Sequence, residues 1–173
     1  MARRIKPIAR SHDRRAFDCG DPDLNDYLRR YARQNHDSGG AKTFVAVGDD
    51  APARVLGYYS IAPASVAFER VPPGVLPGLG RYPVPAYRLA RLAVHLSIQG
   101  QGLGGELLVD ASSRALAVAT EIGGVGLLID AKNDRAAAWY ARFGASTLTD
   151  GDLELLLPFA TIRAAFDAAA RPS

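Results

Sequence analysis

One segment of the chain reads Gln99-Gly100-Gln101-Gly102-Leu103-Gly104-Gly105. A predicted strand over residues 87–94 precedes this segment, and apolar residues at helical spacing over residues 103–120 follow it. Glycine lets the backbone approach a ligand without a clash from Cβ, and the first N–H groups of a helix bind phosphate oxygens. The segment therefore predicts a loop that binds a phosphate-bearing cofactor, with a plain tight turn as the alternative.

The hydrophobic pattern on either side of this loop predicts a mixed α/β fold. Strands are predicted over residues 43–47, 55–61, 65–69, 87–94, 125–129 and 153–157. Helices are predicted over residues 22–38, 103–120, 134–143 and 159–168. Residues 71–85 hold five of the eleven prolines and are expected to form an irregular connection. This order indicates a central sheet of antiparallel N-terminal strands followed by a strand–helix–strand core, with helices on both faces.

A dinucleotide-binding site is one interpretation of the glycine loop. Gly100, Gly102 and Gly105 have the spacing of the dinucleotide fingerprint, and Asp130 ends the next strand, where a ribose-binding acid would lie. However, the chain has a single strand–helix–strand unit, and the 86 residues before it have an antiparallel pattern. A second nucleotide-binding half is therefore missing.

The same loop also has a second spacing, Gln99-x-x-Gly102-x-Gly104. A later segment has the pattern Asn133-x-x-Ala136-x-x-x-Tyr140-x-x-x-Gly144. Both segments resemble motifs of the GNAT acetyltransferase superfamily. Ala145 departs from that pattern, because Phe commonly follows the glycine, and this departure affects packing more than chemistry.

The resemblance implies the GNAT fold and acetyl-CoA as cosubstrate, without a metal. It also implies that the loop amides hold the coenzyme A pyrophosphate and that the preceding strand lies beside the pantetheine. The residues implied to contact the cofactor are Leu92, Ala93, Val94, Gln99, Gly100, Gln101, Gly102, Leu103, Gly104, Gly105 and Asn133.

A narrower resemblance covers residues 5–165. It is carried by residues 17–20, 24–35, 57–60, 91–94 and 157–159. These segments are similar to the acetyltransferase toxins of type II toxin–antitoxin modules, the TacT-like proteins. The resemblance implies acetylation of the α-amine of aminoacyl-tRNA, which blocks translation, together with a ribbon–helix–helix antitoxin and a homodimer. The chain has Ala41-Lys42 where this branch commonly has Ser-Arg.

Acetyl transfer from a thioester needs a polarised carbonyl, a neutral amine and a proton for the leaving thiolate. The backbone N–H of Val94 is the candidate oxyanion donor, and Tyr140 is the candidate general acid. From the residues alone, Tyr140 is equally well interpreted as a core aromatic beside Trp139. Glu106 and Asp110 are expected on the solvated face of their helix, so no carboxylate stands out as a general base.

The missing base favours an amine that is already largely neutral. A free α-amino group has a pKa of about 7.7–8.0, at least about two units below that of lysine. The ester of an aminoacyl-tRNA withdraws electrons and lowers the pKa of its α-amine further. Such a substrate therefore needs no help in losing its proton.

Positive charge is concentrated at the N-terminus. The chain carries a net charge of +3, and residues 1–35 hold eight Arg and one Lys against five Asp. A basic segment of this kind suits an RNA backbone, although a solvated surface is the more frequent explanation for charge alone. The candidates for phosphate contacts are Arg29, Arg30, Arg33, Lys42, Arg81 and Arg91.

Length and composition narrow the remaining classes of protein. The 173 residues are expected to form a single acetyltransferase domain over residues 1–173. No apolar run is long enough to span a membrane, the cytoplasm is the expected location, and no binding to DNA by the chain alone is expected. Cys19 is expected to be a small buried residue. Two other functions remain open: acetylation of a small-molecule amine or a protein N-terminus, and non-catalytic nucleotide or RNA binding.

Overall fold

The computed structural model describes residues 2–151 and 153–171. Its strands are β1 (Arg3–Pro7), β2 (Lys42–Gly48), β3 (Gly57–Val66), β4 (Val84–Val94), β5 (Gly126–Asp130), β6 (Ser146–Thr147) and β7 (Glu154–Pro158). Its α-helices are α1 (Pro22–Asp26), α2 (Ala32–Ser38), α3 (Leu103–Ile122), α4 (Asp134–Ala141) and α5 (Phe159–Ala170). The strands form one sheet in the order β1-β2-β3-β4-β5-β7-β6.

The sheet mixes parallel and antiparallel pairs. β4 and β5 are parallel, with Tyr87 opposite Leu127 and Leu89 opposite Ile129. The pairs β1–β2, β2–β3, β5–β7 and β6–β7 are antiparallel. The predicted mixed fold and its β4–α3–β5 core are confirmed. This topology does not support the dinucleotide-binding interpretation, which needs a second parallel half.

The chain divides into two compact units. The first comprises the residues up to Ala62 together with Arg91–Ala111. Its apolar core joins the N-terminal segment to β2 and β3, and its buried members are Ile8, Phe17, Cys19, Leu24, Tyr27, Leu28, Ala32, Val45, Val47, Val55, Tyr58 and Ala93. The burial of Cys19 confirms the prediction for that residue.

The second unit comprises Pro63–Ala90 and the residues from Ser112 onward. Its core contains Val66, Val84, Ala86, Leu128, Leu148 and Leu156. The proline-rich segment is irregular, as predicted, and its apolar side chains are half-buried against this core. The segment is therefore part of the folded unit and does not act as a linker.

The helical segment of the first unit begins as the sequence predicts. The carboxylate of Asp21 accepts hydrogen bonds from the N–H groups of Asp23 and Leu24, at 2.9 and 3.3 Å, and so caps α1. A π-helical turn over Tyr27–Tyr31 then separates α1 from α2, where one continuous helix was expected. Gly39, with φ of 84°, ends α2.

The strands β1 and β6 were not predicted from the sequence, and the expectation for residues 65–69 was wrong. The sequence pattern did not indicate β1, because its charged side chains hide the alternation of an edge strand that is only partly buried. Residues 65–69 do not form an additional strand: β3 continues without a break to Val66, and Phe68–Arg70 form a 3₁₀ turn. Phe68 packs against the core of the second unit, which favours the turn over further extension.

Gly57 lies where β3 approaches the end of β4, and no larger residue fits there. A Cβ at this position would lie 2.9 Å from the backbone oxygen of Ala93 and 3.1 Å from side-chain atoms of both Leu103 and Leu107. We expect Gly57→Ala to destabilise the protein by about 1–3 kcal/mol, as other overpacking substitutions do. Thermal unfolding should show a midpoint lowered by about 2–4 °C for each kcal/mol.

The matched control is Gly40→Ala, because a Cβ there meets its nearest atoms only at 3.9 and 4.0 Å. Its unfolding midpoint should stay close to that of the wild-type protein. Equal midpoints for the two variants would show that the contact between β3 and β4 is looser than described.

Candidate active site

The loop before α3 has the geometry of a ligand cradle. Gly100 and Gly102 have φ of 80° and 86°, a region that disfavours residues with a side chain. A Cβ added at Gly100, Gly102 or Gly105 would meet no other atom within 4 Å among the described residues. The buried side chain of Leu103 anchors the first turn of α3, whose leading N–H groups have no partner within the helix. These features fit a bound pyrophosphate.

The side chain of Gln99 supports this loop from within the protein. Its Nε2 donates to the backbone oxygen of Cys19 at 3.1 Å and to that of Val94 at 2.9 Å. The Gln99 amide group therefore joins the end of β4 to the N-terminal segment. The backbone of the following glycines is left for a ligand.

The end of β4 contains the three strand residues that the sequence singles out. The register of β4 with β5 covers Tyr87–Leu89, and β4 then continues to Val94. Ala93 is buried, whereas Leu92 and Val94 are half-buried. The role of the Val94 N–H as an oxyanion donor stays a prediction.

Tyr140 lies on α4 in the second unit, and Asn133 directly precedes this helix. The Oδ1 atom of Asn133 accepts a hydrogen bond from the N–H of Ala136 at 2.8 Å and caps this helix. Tyr140 is 6% exposed, and its ring lies edge-on to Trp139 with a centroid distance of 5.0 Å. Burial raises the pKa of Tyr140 above its ordinary value, and the nearby carboxylate of Asp130 raises it further. Tyr140 thus keeps its proton at physiological pH, as a proton donor must.

Comparison with known proteins gives the family. The sequence profile described as "Acetyltransferase (GNAT) family" matches residues 7–145. The chain belongs to the GNAT acetyltransferase family. Its GNAT fold, predicted from the two motifs, is confirmed.

Three similar proteins illustrate this GNAT relationship. The "tRNA-acetylating toxin" of Mycobacterium tuberculosis is 39% identical over 157 residues, which cover 91% of this chain and 92% of that protein. The crystal structure of a tyrosine-to-phenylalanine mutant of KacT has a TM-score of 0.87 and 30% identity, and covers 96% of this chain and 100% of its own. A structure of AtaT complexed with acetyl-methionyl-tRNAfMet has a TM-score of 0.84 and 26% identity. The match covers 95% of this chain and 99% of the AtaT chain.

Arg3 lies beside the glycine loop and was not singled out from the sequence. Its Nη2 donates to Oε1 of Glu106 at 2.9 Å and lies 3.4 Å from the backbone oxygen of Gln101. Its side chain is only 20% exposed. A cation therefore lies directly beside the glycine loop, and Glu106, on the first turn of α3, is engaged by it. No local sequence signal links an N-terminal arginine to a loop that begins about a hundred residues later.

The expectation for Asp110 was wrong. This carboxylate was placed on a solvated helix face, but it is half-buried and accepts a hydrogen bond from the hydroxyl of Tyr59 at 2.5 Å. Tyr59 is fully buried and stacks on Phe44 with a centroid distance of 5.3 Å. The carboxylate of Asp110 therefore serves as the partner of a buried hydroxyl.

Five charged side chains of the second unit form ion pairs with one another. Arg70 contacts Asp150 at 2.7 Å and Glu154 at 2.5 Å, and Arg88 contacts Asp130 at 2.7 Å. The hydrogen bond from Arg70 lowers the pKa of Asp150. Arg88 also lies 3.6 Å from Glu154, so the five side chains form one network. This network engages Asp130, the residue whose carboxylate raises the pKa of Tyr140.

Three of the six candidate residues for RNA contact make a hydrogen bond or a cation–π contact within the protein. Arg29 and Lys42 each donate to a backbone oxygen at 2.8 Å, and the guanidinium of Arg91 lies 3.7 Å from the centroid of the Tyr27 ring. Arg81 is exposed in the irregular connection of the second unit. Phosphate contact by these four residues stays a prediction.

Arg30 and Arg33 share a cleft of about 530 Å³ in the first unit. Its lining residues are Arg14, Arg30, Arg33, Gln34, Asp37 and Ser38. Arg33 lies 3.7 Å from Asp37, whereas Arg30 is exposed. Arg14, which the sequence did not single out, donates to the backbone oxygen of Arg29 at 3.2 Å. The cleft therefore presents three guanidinium groups against one carboxylate.

The described residues contain neither a membrane-spanning helix nor a cluster of metal-binding side chains. No helix within residues 2–151 and 153–171 is long and apolar enough to cross a membrane. Across those same residues, no group of three or more His, Cys, Asp or Glu side chains is placed to hold a metal ion.

The open space at Gly102 gives a direct test of the cradle. We expect Gly102→Val to raise the acetyl-CoA Kd by at least about tenfold, because the added side chain occupies the space left for phosphate and strains the backbone. Isothermal titration calorimetry measures this change. Gly78→Val is the control, since Gly78 has φ of 83° and its Cβ would also meet no described atom within 4 Å, but it lies outside the loop. Equal weakening of acetyl-CoA binding in both variants would reject the cradle.

Proposed function

We propose that this protein is an acetyl-CoA-dependent N-acetyltransferase that modifies the α-amine of aminoacyl-tRNA and acts as the toxin of a type II toxin–antitoxin module. The observation that carries the proposal is the glycine loop at the start of α3, with open space at Gly100, Gly102 and Gly105. A relative named for tRNA acetylation matches nearly the whole chain and supports the choice of substrate. Acetylation removes the amine needed for the next peptide bond, so translation stops.

The first unit supplies the residues proposed to hold the cosubstrate. Acetyl-CoA supplies an activated acetyl group when bound. The loop backbone over residues 99–105 accommodates the pyrophosphate, and residues 92–94 lie along the pantetheine. Arg3 adds a positive charge beside the loop. Asn133 is the remaining residue that the resemblance implies to contact the cofactor, and its Oδ1 is engaged as the cap of α4.

Two groups are proposed to act on the reacting atoms. The N–H of Val94 donates to the oxygen that gains negative charge when the amine attacks. Tyr140 donates its proton to the departing thiolate. Tyr140 is protonated at neutral pH, so its hydroxyl can donate. Burial disfavours the phenolate that donation leaves, so this phenolate recovers a proton at once, and the acylated amine releases one.

The lack of an evident general base supports an α-amine as the acceptor. Glu106 is paired with Arg3, and Asp110 accepts a hydrogen bond from Tyr59. Neither carboxylate is well suited to take a proton from a lysine side chain, whose ordinary pKa is about 10.4. The α-amine of an aminoacyl ester loses its proton near neutral pH without assistance.

The basic cleft is the surface proposed to hold the RNA backbone. Arginine binds phosphate oxygens with two parallel hydrogen bonds, and Arg14, Arg30 and Arg33 line one concave surface. Arg29, Lys42 and Arg91 are engaged in contacts within the protein, so they are less available to bind phosphate. Arg81 remains a candidate. The cleft therefore keeps Arg30 and Arg33 from the predicted set and adds Arg14.

The assembly is proposed from the same resemblance. We expect the chain to act as one acetyltransferase domain. The family match over residues 7–145 supports this expectation, because it includes residues of both units. A homodimer, neutralised by a ribbon–helix–helix antitoxin, is the proposed cellular form. Since aminoacyl-tRNA is its substrate, the toxin is expected to act in the cytoplasm.

Tyr140→Phe tests the proposed chemistry. The variant keeps the buried ring and loses only the hydroxyl, so we expect kcat for acetylation of aminoacyl-tRNA to fall by about 10²–10⁴-fold while the acetyl-CoA Kd is unchanged. Expression of the wild-type protein without antitoxin should arrest growth, and the variant should be tolerated.

The control for this test is Tyr31→Phe. Tyr31 is 53% exposed and lies in the first unit, so loss of its hydroxyl should leave kcat unchanged. All variants must unfold at similar temperatures, so that the comparison reports turnover. Near-normal turnover by folded Tyr140→Phe would make Tyr140 a packing residue. Acetylation of small amines but never of aminoacyl-tRNA by the wild-type protein would leave a GNAT enzyme that is not a tRNA-acetylating toxin.

Salt dependence tests the basic cleft. The triple variant Arg14→Ala/Arg30→Ala/Arg33→Ala should bind aminoacyl-tRNA more weakly, and the slope of log K against log salt should become shallower by about one unit for each lost phosphate contact. Acetyl-CoA affinity should be unchanged. Arg10→Ala, an exposed arginine outside the cleft, serves as the control. A triple variant with the wild-type slope would exclude the cleft as the RNA surface.

A further inference from the structure

Residues 17–25, which we call the N-terminal brace, hold the turn that leads into the glycine loop. The backbone oxygen of Asp18 accepts a hydrogen bond from the N–H of Leu96 at 2.8 Å. The backbone oxygen of Cys19 accepts one from Nε2 of Gln99 at 3.1 Å. The turn from Leu96 to Gln99 is therefore held at both ends by two successive carbonyl groups of the brace. Gly100 follows this turn directly.

The side chain of Asn25 in turn fixes the two residues that carry these carbonyls. Its Oδ1 accepts from the N–H of Cys19 at 2.9 Å, and its Nδ2 donates to Oδ1 of Asp18 at 3.0 Å. Asn25 is only 8% exposed, so its amide group is shielded from water. The same carboxylate oxygen of Asp18 accepts from the N–H of Gly20 at 2.9 Å. One buried amide thus sets the conformation of the brace.

Side-chain packing reinforces these hydrogen bonds. The ring of Phe17 lies edge-on to His95 with a centroid distance of 5.9 Å. A Cβ on Gly20, whose φ is 88°, would lie 3.2 Å from Leu96. The brace therefore packs closely on the start of the turn, at His95 and Leu96.

We propose that Asn25 is a positioning residue for the cosubstrate: through Asp18 and Cys19 it holds the glycine loop in its ligand-binding conformation before the ligand arrives. The proposal rests on the proposed function for the identity of that ligand, acetyl-CoA. Four of the seven residues from Gln99 to Gly105 are glycine, so the loop has few side chains of its own to fix it. A rigid support outside the loop lowers the entropic cost of binding.

Asn25→Ala in the full-length protein tests the brace. The substitution leaves the buried N–H of Cys19 without its partner and frees the carboxylate of Asp18. We expect the acetyl-CoA Kd, measured by calorimetry, to rise about tenfold, which is the scale of one lost buried hydrogen bond. Amide hydrogen exchange in the ligand-free protein should become faster at Leu96, Ile98 and Glu106, whose N–H groups lie on either side of the loop and donate to backbone oxygens. We refer to exchange at these three amides as loop exchange. The KM for acetyl-CoA should rise by the same factor as the Kd, with little change in kcat at saturation.

Asn35→Ala is the matched control. Asn35 lies on α2 of the same unit and donates from Nδ2 to the hydroxyl of Tyr27 at 3.2 Å, so this variant also loses an asparagine side-chain hydrogen bond, but outside the brace. Its loop exchange and acetyl-CoA Kd should match those of the wild-type protein. If Asn25→Ala does not fold, Asp18→Ala carries the test, because Asp18 is exposed and its side chain makes the same internal hydrogen bond.

Three results would overturn the proposal. Loop exchange and Kd in Asn25→Ala could equal those of the wild-type protein. Asn35→Ala could produce the same changes as Asn25→Ala. The substitution could lower kcat and leave the KM for acetyl-CoA unchanged. A wild-type protein that binds no acetyl-CoA would instead contradict the proposed function, and loop exchange in the ligand-free protein would still decide whether Asn25 holds the loop.

Discussion

The turn between β4 and α3 must present backbone N–H groups to open space, and much of the first unit is arranged around that requirement. A loop that presents its backbone to a ligand has little side-chain packing of its own, so its ends must be held from outside. Leu103 is buried at the start of α3, Gln99 donates to two backbone oxygens, and Arg3 reaches the loop from β1. These contacts turn a glycine-rich segment, which would otherwise be flexible, into a defined surface.

The second unit contains a buried phenol, that of Tyr140, whose pKa its surroundings raise. Burying Tyr140 disfavours its ionised form, and Asp130 adds a negative charge that acts in the same direction. Asp130 forms an ion pair with Arg88, which belongs to a network of ion pairs that includes residues of β4, β5 and β7. The electrostatics of the site therefore depend on charged side chains that need not touch a substrate.

Local pattern was sufficient for the elements whose signals lie close together in sequence. The glycine loop with its flanking strand and helix, the Asp21 cap and the buried strand β5 all follow from periodicity and from residues that favour turns. Contacts between distant residues were not predictable: Arg3 pairs with Glu106 across 103 positions, and Tyr59 pairs with Asp110 across 51. The π-helical turn over Tyr27–Tyr31 was hidden for another reason, because the buried residues Leu24, Leu28 and Ala32 have a spacing of four that an α-helix also fits. The fold was therefore accessible from the sequence, whereas the supports of the site were not.

The two edges of the sheet also constrain how copies of this protein assemble. The strand β1 lies at one edge and carries Arg3, Arg4 and Lys6, and it ends in Pro7, which has no N–H to donate. The opposite edge is β6, only two residues long. At the β1 edge, the repulsion between like charges and the lack of an N–H at Pro7 oppose the addition of another strand. The β6 edge is too short to pair with a strand of another copy. Any dimer must therefore be built through side-chain surfaces, and misassembly by edge-to-edge strand pairing is disfavoured even when expression is high.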